Sequence, residues 1–255
     1  MEIILEEKIL GLSLKIPLSE KEKNHIQRLL MQGVNWETLI RLAKACGLLP
    51  LMAKNLLSVE SDLTSKVTLK SMYEFHQREY TLNSLVLWSE LKKIIKIAEQ
   101  KQIPIIPIKG VVLIEMLYKN PCLRRTSDID ILIKKEHLPE IEAELVNYGY
   151  TLAPDTFKDR KLQLKYLFHF SFKKKDPMGK TLFLELHWDV LPYPMRINNL
   201  IEDFWNNASL RNISGERILT LSLEDTLFLA IIELYKDIIG HTPFLLKRYL
   251  DISQI

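Results

Sequence analysis

The sequence is poor in cysteine. Its 255 residues include two cysteines, Cys46 and Cys122, and no metal-ligand spacing relates them. Disulfide frameworks and zinc motifs both need cysteines in larger or more closely patterned sets. The sequence therefore predicts a reducing environment, and we expect a cytoplasmic location.

Long apolar runs are also absent. A membrane-spanning helix needs about 20 consecutive apolar residues, whereas the longest candidate, IPIIPI at residues 103–108, has the length of a buried strand. The N-terminus carries Glu2, Glu6, Glu7 and Lys8, which is not a signal-peptide pattern. We expect a soluble intracellular protein with no membrane partner.

Charge of one sign is not in large excess either. The formal net charge of +3 is too mild to predict nucleic-acid binding by itself, so we expect no stable DNA partner. Hydrophobic residues, in contrast, make up 47% of the chain. This content is enough for a substantial core in one large domain or two smaller ones.

Residues 1–100 predict an N-terminal helical region. Ser19 followed by Glu22 is a capping-box signature, and Asn35 is a typical residue to precede another helix. Few helix breakers occur between Asp62 and Gln102, so one or two long helices are expected there. The interpretation favoured for this region is packing without chemistry.

Residues 101–200 change to a mixture of strands and helices. The prolines in the strand at 103–108 place it at an edge or at a strand entry. The next elements predicted are a helix at 111–118, the strand SDIDILIKK and a helix ending at Gly149. A hairpin follows, with the turn DPMG between its two strands. In its first strand Tyr166, Phe168, Phe170 and Phe172 share one face, and its second strand is TLFLELHWDV. Residues 201–255 predict a C-terminal helical region.

The stretch RRTSDIDILI, residues 124–133, places two carboxylates in a strand-like segment. Because side chains alternate along a strand, Asp128 and Asp130 project from one face and the isoleucines between them point into a core. The two Cα atoms lie about 6.6–6.8 Å apart, so a divalent metal could offset the repulsion of the carboxylates. The alternative is a solvated pair on an edge strand.

The strand TLFLELHWDV offers a third carboxylate. Glu185 and Asp189 both lie on its polar face, and Glu185 is preferred because an unpaired charge is hardest to tolerate near mid-strand. For His187, a structural role and a site role are both open. His169 is interpreted as structural, and the lysines at 173–175 as a solvated tip.

The order of these features resembles a known superfamily. A strand ending in IKG, a helix, the pattern Y..P..R...DID.LI, a helix ending in GY and the strand LELHW are similar to the nucleotidyltransferases that share a core with DNA polymerase β. In particular the chain looks like the uncharacterised bacterial nucleotidyltransferase family, over roughly residues 85–255. The resemblance implies an α+β fold, in which a small mixed β-sheet nucleotidyltransferase core at 101–200 is flanked by the two helical regions.

The resemblance also implies roles for matching positions. Asp128 and Asp130 match the metal-binding pair, and Glu185 matches the third carboxylate, which helps to activate the attacking hydroxyl. These three are the implied catalytic and metal-binding residues, with Mg²⁺ as the cofactor and Mn²⁺ as the alternative.

The implied nucleotide-binding residues are Lys109, Gly110, Arg124, Ser127 and His187. Gly110 matches the glycine at a helix start, where free backbone N–H groups can meet a triphosphate and Lys109 adds charge. Arg124 matches an arginine of the family and could neutralise phosphate. Valine at position 111 departs from the serine that is usual in the wider superfamily.

The implied reaction moves an NMP from an NTP, with ATP most expected, to a hydroxyl acceptor, and releases pyrophosphate. A small molecule, a protein or an RNA remains open as the acceptor, although the near-neutral charge argues mildly against a tightly held RNA. A different class of function is a catalytically weak nucleotide-sensing or partner-binding module on the same fold. A third is a purely structural role in which the aspartates bind nothing.

The end of the sequence lies within a helical pattern, just after LDIS. Members of the family tend to run further, so a truncated or unusually short C-terminal region is expected.

Overall fold

The computed structural model describes residues 4–59, 63–154, 158–242 and 245–255. The chain forms two compact units, unit 1 with residues 1–82, 117–125 and 230–255, and unit 2 with residues 83–116 and 126–229. This division differs from the three predicted regions. Three described helical segments, Leu63–Gln100, Ile114–Tyr118 and Leu223–Ile239, contribute residues to both units. A division inside a helix leaves no mark in composition or periodicity.

Unit 1 is helical. Its N-terminal elements are α1 Leu5–Leu12, α2 Glu20–Leu30, α3 Trp36–Ala45, α4 Leu49–Leu57 and the first part of α5 Leu63–Gln100. The predicted capping box is confirmed: Ser19 Oγ accepts from the backbone N–H of Glu22, and the Glu22 carboxylate accepts from the backbone N–H of Ser19. Asn35 Oδ1 caps α3 at 3.0 Å from Thr38 N. Each such cap stabilises its helix by about 0.5–2 kcal/mol.

The core of unit 1 is formed by apolar side chains from these helices. Fully buried members include Ile9, Ile26, Leu39, Leu48, Met52 and Leu56. Cys46 and Cys122 lie in the same core and are not joined in a disulfide. Burial raises the pKa of both thiols. We therefore interpret both cysteines as small apolar residues of the core.

Unit 2 is organised around a five-stranded mixed sheet. Its strands are β1 Ile105–Pro107, β2 Asp128–Ile133, β3 Thr151–Leu152, β4 His169–Lys175 and β5 Thr181–His187. Their order is β1-β2-β5-β4-β3, with β2 and β5 parallel and the other neighbours antiparallel. The proline-bearing β1 lies at an edge, as predicted. The α+β class and the mixed sheet are confirmed.

Helices of unit 2 follow the strands. They are α6 Val111–Leu113, which continues as a π-helix at Ile114–Tyr118, then a 3-10 turn at Lys135–His137, α7 Leu138–Asn147, α8 Arg160–Tyr166 and α9 Leu200–Asn207. Within the described residues, no helix is both long and apolar enough to cross a membrane.

The hairpin of β4 and β5 confirms the predicted turn at DPMG. The backbone N–H of Gly179 donates to Asp176 O, and Gly179 has a φ of +82°. The predicted start of the first strand was wrong, because Tyr166 ends α8 and Phe168 precedes β4. Phe170 and Phe172 do face the core.

The interpretation of the three lysines as a solvated tip was wrong for the middle one. Lys174 Nζ lies 2.8 Å from the carboxylate of Glu90 and over the ring of Tyr148. Glu90 is buried and also accepts from the hydroxyl of Tyr150 at 3.1 Å. This cluster ties β4 to α5 within unit 2.

The predicted C-terminal helical region contains a second hairpin that the sequence reading missed. Strands β6 Ser209–Ile213 and β7 Glu216–Thr220 form a separate two-stranded sheet. The helices α10 Leu223–Ile239 and α11 Leu245–Gln254 follow, as predicted.

Candidate active site

Three neighbouring strands present polar side chains on one face of the sheet in unit 2. Parallel pairing of β2 with β5 sets Asp130 beside Glu185, and antiparallel pairing of β4 with β5 sets His169 opposite His187. The opposite face carries apolar side chains in the core, among them Ile129, Ile131, Ile133, Leu184 and Leu186. The predicted alternation of carboxylate and isoleucine along β2 is therefore confirmed.

Asp130 is the most buried carboxylate of this face, at 5% exposure. Lys109 Nζ lies 3.0 Å and His187 Nε2 lies 3.1 Å from its Oδ1 atom. Burial alone would raise the pKa of Asp130, but the charges and hydrogen bonds of Lys109 and His187 outweigh burial and hold that pKa well below its ordinary value. Asp130 therefore carries a negative charge that two neighbouring groups offset.

His187 joins two carboxylates. Its Nε2 atom lies 3.1 Å from Asp130 and 3.2 Å from Glu185 Oε2, and the side chain is 1% exposed. Burial lowers the pKa of His187, but its hydrogen bonds to the two carboxylates outweigh burial, so the pKa is raised. Of the two roles that the sequence left open, this position favours a role in the site.

Glu185 lies between β2 and β4 and is partly exposed. Burial raises its pKa, while the hydrogen bond from His187 lowers it, and the net direction is downward. Glu185 Oε1 also lies 3.7 Å from His169 Nε2. Both oxygens of this carboxylate therefore face imidazole nitrogens.

The structure places His169 among the polar side chains of this face. Its ring centroid lies 5.0 Å from that of His187, and the residue belongs to the polar cluster. The signal was present in the sequence: the DPMG turn sets the register of the hairpin, and counting back from it pairs residue 169 with residue 187.

Asp128 begins β2 and is half-buried. Ser127 Oγ lies 3.3 Å from its Oδ1 atom and can donate to it. Across the described residues, the one group of three ligand-type side chains with donor atoms within 4.8 Å of one another is His169, Glu185 and His187. The predicted set of Asp128, Asp130 and Glu185 shares a face but is not gathered to that spacing.

The donor chemistry of the predicted carboxylates suits a divalent cation. Carboxylate oxygens are the ligands that Mg²⁺ prefers. The ammonium group of Lys109 contacts Asp130. A cation bound by Asp130 would neutralise the same carboxylate charge.

Gly110 is required by close packing at the start of β2. It has a φ of +67°, and a Cβ atom there would lie 3.0 Å from Asp128 O and 3.2 Å from Thr126 Oγ1. A side chain would therefore push against the backbone that positions the first aspartate. The α-helical segment that follows is only three residues long, so Lys109 is the stronger candidate for a phosphate contact.

The nucleotide-binding role predicted for Arg124 is not supported. Its guanidinium is 2% exposed and pairs with Asp251 in unit 1, at 2.6 Å from Nε to Oδ1 and 2.9 Å from Nη2 to Oδ2. The hydroxyl of Tyr118 donates to the same carboxylate at 2.7 Å. Arg124 is thus a buried structural residue.

Asp189, the alternative third carboxylate, lies beyond the end of β5. Its Oδ1 atom accepts from the backbone N–H of Val190 at 2.8 Å, and its Oδ2 atom lies 3.1 Å from Arg196 Nε. These contacts give it a role in the loop, which leaves Glu185 as the third carboxylate of the polar face.

A family model matches most of the chain. The family model described as "uncharacterised nucleotidyltransferase" matches residues 32–255. No curated protein was found to match the chain.

Several solved structures are similar at low identity. An antigenic nucleotidyltransferase-like protein from Paracoccidioides brasiliensis is 16% identical over 69% of this chain and 73% of its own, with a TM-score of 0.42. ANT(2″)-Ia in complex with adenylyl-2″-tobramycin is 14% identical over 65% of this chain and 94% of its own, with a TM-score of 0.40. The lincomycin-bound lincosamide antibiotic adenylyltransferase LnuA is 16% identical over 65% and 94%, with a TM-score of 0.39.

Proposed function

This chain belongs to the uncharacterised nucleotidyltransferase family, and on that premise we propose that it moves an NMP from an NTP, ATP first among them, to a hydroxyl group of an acceptor. The observation that carries the proposal is the cross-strand pair of Asp130 and Glu185 on one polar face, with Lys109 and His187 in contact with Asp130. Burying neighbouring carboxylates costs free energy, and such an arrangement is more typical of a functional site than of a structural core.

Asp128, Asp130 and Glu185 would hold the divalent cation. Mg²⁺, or Mn²⁺ in its place, would supply charge stabilisation to the phosphate oxygens when it is bound. The contact between Lys109 and Asp130 would then be exchanged for one between Lys109 and phosphate, because the ammonium would no longer be needed to offset the carboxylate. Ser127, at the exposed start of β2, and His187 complete the proposed nucleotide-binding set.

Glu185 is the proposed base. It would take the proton of the acceptor hydroxyl, while the acceptor oxygen bonds to the α-phosphorus and the bond from that phosphorus to the bridging oxygen breaks. Pyrophosphate leaves with the electron pair. A lowered pKa keeps Glu185 ionised near neutral pH, which is the state that a base requires.

The test is transfer of label from each α-³²P NTP with Mg²⁺ or Mn²⁺, against small-molecule, protein and RNA acceptors. We expect label on one acceptor class, and its loss in the double variant Asp128→Asn/Asp130→Asn. Glu140→Gln, an exposed change on α7, is the matched control and should retain transfer. Transfer at the wild-type rate by the double variant would overturn the proposal.

A second function is favoured by one specific observation. Val111 stands at the position of the usual serine, and a chain with a weakened phosphate contact could bind nucleotide without turning it over. Saturable NTP binding with no transfer to any acceptor class would support this nucleotide-sensing module over the enzyme. An unchanged melting temperature with metal and NTP would argue against both, because ligands that bind the native state stabilise it.

A further inference from the structure

We propose that His169, Glu185 and His187 form a second cation site, which binds a divalent transition metal ion of the Zn²⁺ type. This set of ligands differs from the one proposed for Mg²⁺, which is Asp128, Asp130 and Glu185, and the two sets have Glu185 in common. The binding itself does not depend on nucleotidyl transfer, whereas its relevance to catalysis rests on the proposed function because the two sites share Glu185.

Two strands supply the three side chains. His169 and His187 are opposite residues of the antiparallel pair β4 and β5, and opposite side chains are the closest neighbours that such a pair offers. Glu185 lies two residues before His187 on the same face. A hairpin with a defined turn therefore preorganises all three ligands.

The distances suit a small cation. Glu185 Oε2 lies 3.2 Å from His187 Nε2, Glu185 Oε1 lies 3.7 Å from His169 Nε2, and one donor atom from each residue lies within 4.8 Å of the others. Ligands at about 2.1 Å from a tetrahedral Zn²⁺ are separated by about 3.4 Å. The two shorter separations, one to each oxygen of Glu185, lie on either side of that value, so the carboxylate is within reach of a cation held between the two imidazoles.

The donor types determine the class of metal. Two imidazoles and one carboxylate suit Zn²⁺ and the other late first-row ions that accept imidazole ligands, whereas Mg²⁺ and Mn²⁺ prefer oxygen ligands. Asp128 and Asp130 offer oxygen alone. The polar face therefore contains two ligand sets of different chemistry side by side, and they should select different cations.

The number of ligands suggests an open coordination position. Structural zinc sites close with four protein ligands, whereas three leave a place for water or substrate. His187 is buried, but His169 and Glu185 retain 25% and 29% side-chain exposure, so the set is reachable from solvent. Asp130 Oδ1, at 3.1 Å from His187 Nε2, lies next to both ligand sets.

The test is a calorimetric titration of the full, chelator-treated chain with Zn²⁺, without added Mg²⁺. We expect a single tight Zn²⁺ per chain, and at least about a tenfold loss of affinity in His169→Gln, since even outer-shell changes cost that much at metal sites. His25→Gln, at an exposed histidine on α2, controls for surface binding and should leave the affinity unchanged. Asp128→Asn should also leave Zn²⁺ binding intact while it lowers transfer.

A second measurement does not depend on any variant. Co²⁺ substituted into the wild-type chain should show the visible absorption of nitrogen ligation. A spectrum like that of the hydrated ion, equal Zn²⁺ affinity in His169→Gln, or displacement of Zn²⁺ by Mg²⁺ would each overturn the site. Tight Zn²⁺ binding without label transfer would count against the proposed function alone. Label transfer without Zn²⁺ binding would count against this inference alone.

Discussion

Arg124 and Asp251, 127 positions apart in the sequence, form a buried two-point ion pair in unit 1, with contacts of 2.6 Å and 2.9 Å. Each side chain is 2% exposed. The pair joins the segment just before β2 to helix α11, and Tyr118 donates a further hydrogen bond to the same carboxylate. A planar guanidinium suits this geometry and a lysine would not reproduce it.

The substitution Asp251→Asn should destabilise unit 1 by about 3–5 kcal/mol, because it leaves the Arg124 charge buried without its counter-ion. The check is the urea unfolding midpoint, followed by far-UV circular dichroism. Asp203→Asn, at an exposed position on α9, should cost less than about 1 kcal/mol. Equal losses in the two variants would contradict the structural role of the pair.

The same pair predicts a dependence on acid. Burial raises the pKa of Asp251, but Arg124 and the hydrogen bond from Tyr118 outweigh burial and lower it. Because the folded pKa lies below the unfolded value of about 3.9, the stabilisation is complete above that value and is lost as the pH falls through the folded pKa. The melting temperatures of the wild type and Asp251→Asn should therefore differ by a constant amount above about pH 5 and converge below about pH 4; a gap that widens in acid would contradict the sign.

The substitution Gly110→Ala should destabilise unit 2 by more than about 1 kcal/mol, because it combines a left-handed φ with a Cβ atom 3.0 Å from a backbone oxygen. Gly11→Ala is the matched control: Gly11 lies in α1 with no atom within 4 Å of an added Cβ, so this change should stabilise by about 0.4–1 kcal/mol. Denaturant unfolding measures both. Similar behaviour of the two variants would remove the packing argument for Gly110.

Glu185→Gln should lower the rate of transfer by about 10²–10⁴-fold, which is the usual contribution of a general base. The amide has the same size as the carboxylate, and Asp128 and Asp130 remain to hold the cation, so NTP binding should fall by much less than the rate. Single-turnover transfer and equilibrium NTP binding, measured on the same preparation, separate the two effects. A matched loss of binding and rate would assign Glu185 to nucleotide positioning instead.

Lys174→Met should destabilise unit 2 by about 1.5–3 kcal/mol, because it removes the closer of two ammonium groups from the buried Glu90 carboxylate and leaves Lys93 Nζ at 3.8 Å. The neighbouring Lys173 is exposed on the other face of β4, and Lys173→Met should change stability by less than about 0.5 kcal/mol. The two variants differ by one position and share the same chemistry. If both left the unfolding midpoint unchanged, the cluster around Glu90 would be a surface feature.

Local patterns predicted the elements that depend on local physics. The capping box at Ser19 and the hairpin turn at DPMG could be read directly, since a few neighbouring residues satisfy each other's hydrogen bonds. The alternation along β2 also predicted the face of Asp130, because a strand has a strict period of two. The hairpin at 209–220 was not predicted, because its alternation of apolar and polar residues is short and its outward-facing positions carry both kinds of side chain.

The sequence by itself determined which residue types and which faces were available to a site: carboxylates on β2 and β5, a lysine and a glycine after β1, and a polar face opposite an apolar one. Only the tertiary structure decided the partners. It pairs Arg124 with Asp251 and Lys174 with Glu90. It also places Lys109 beside Asp130 and His169 opposite His187. The physical reason is that periodicity is a property of the chain over a few residues, whereas the pairing of charges far apart in sequence depends on strand register and on which groups are removed from water together.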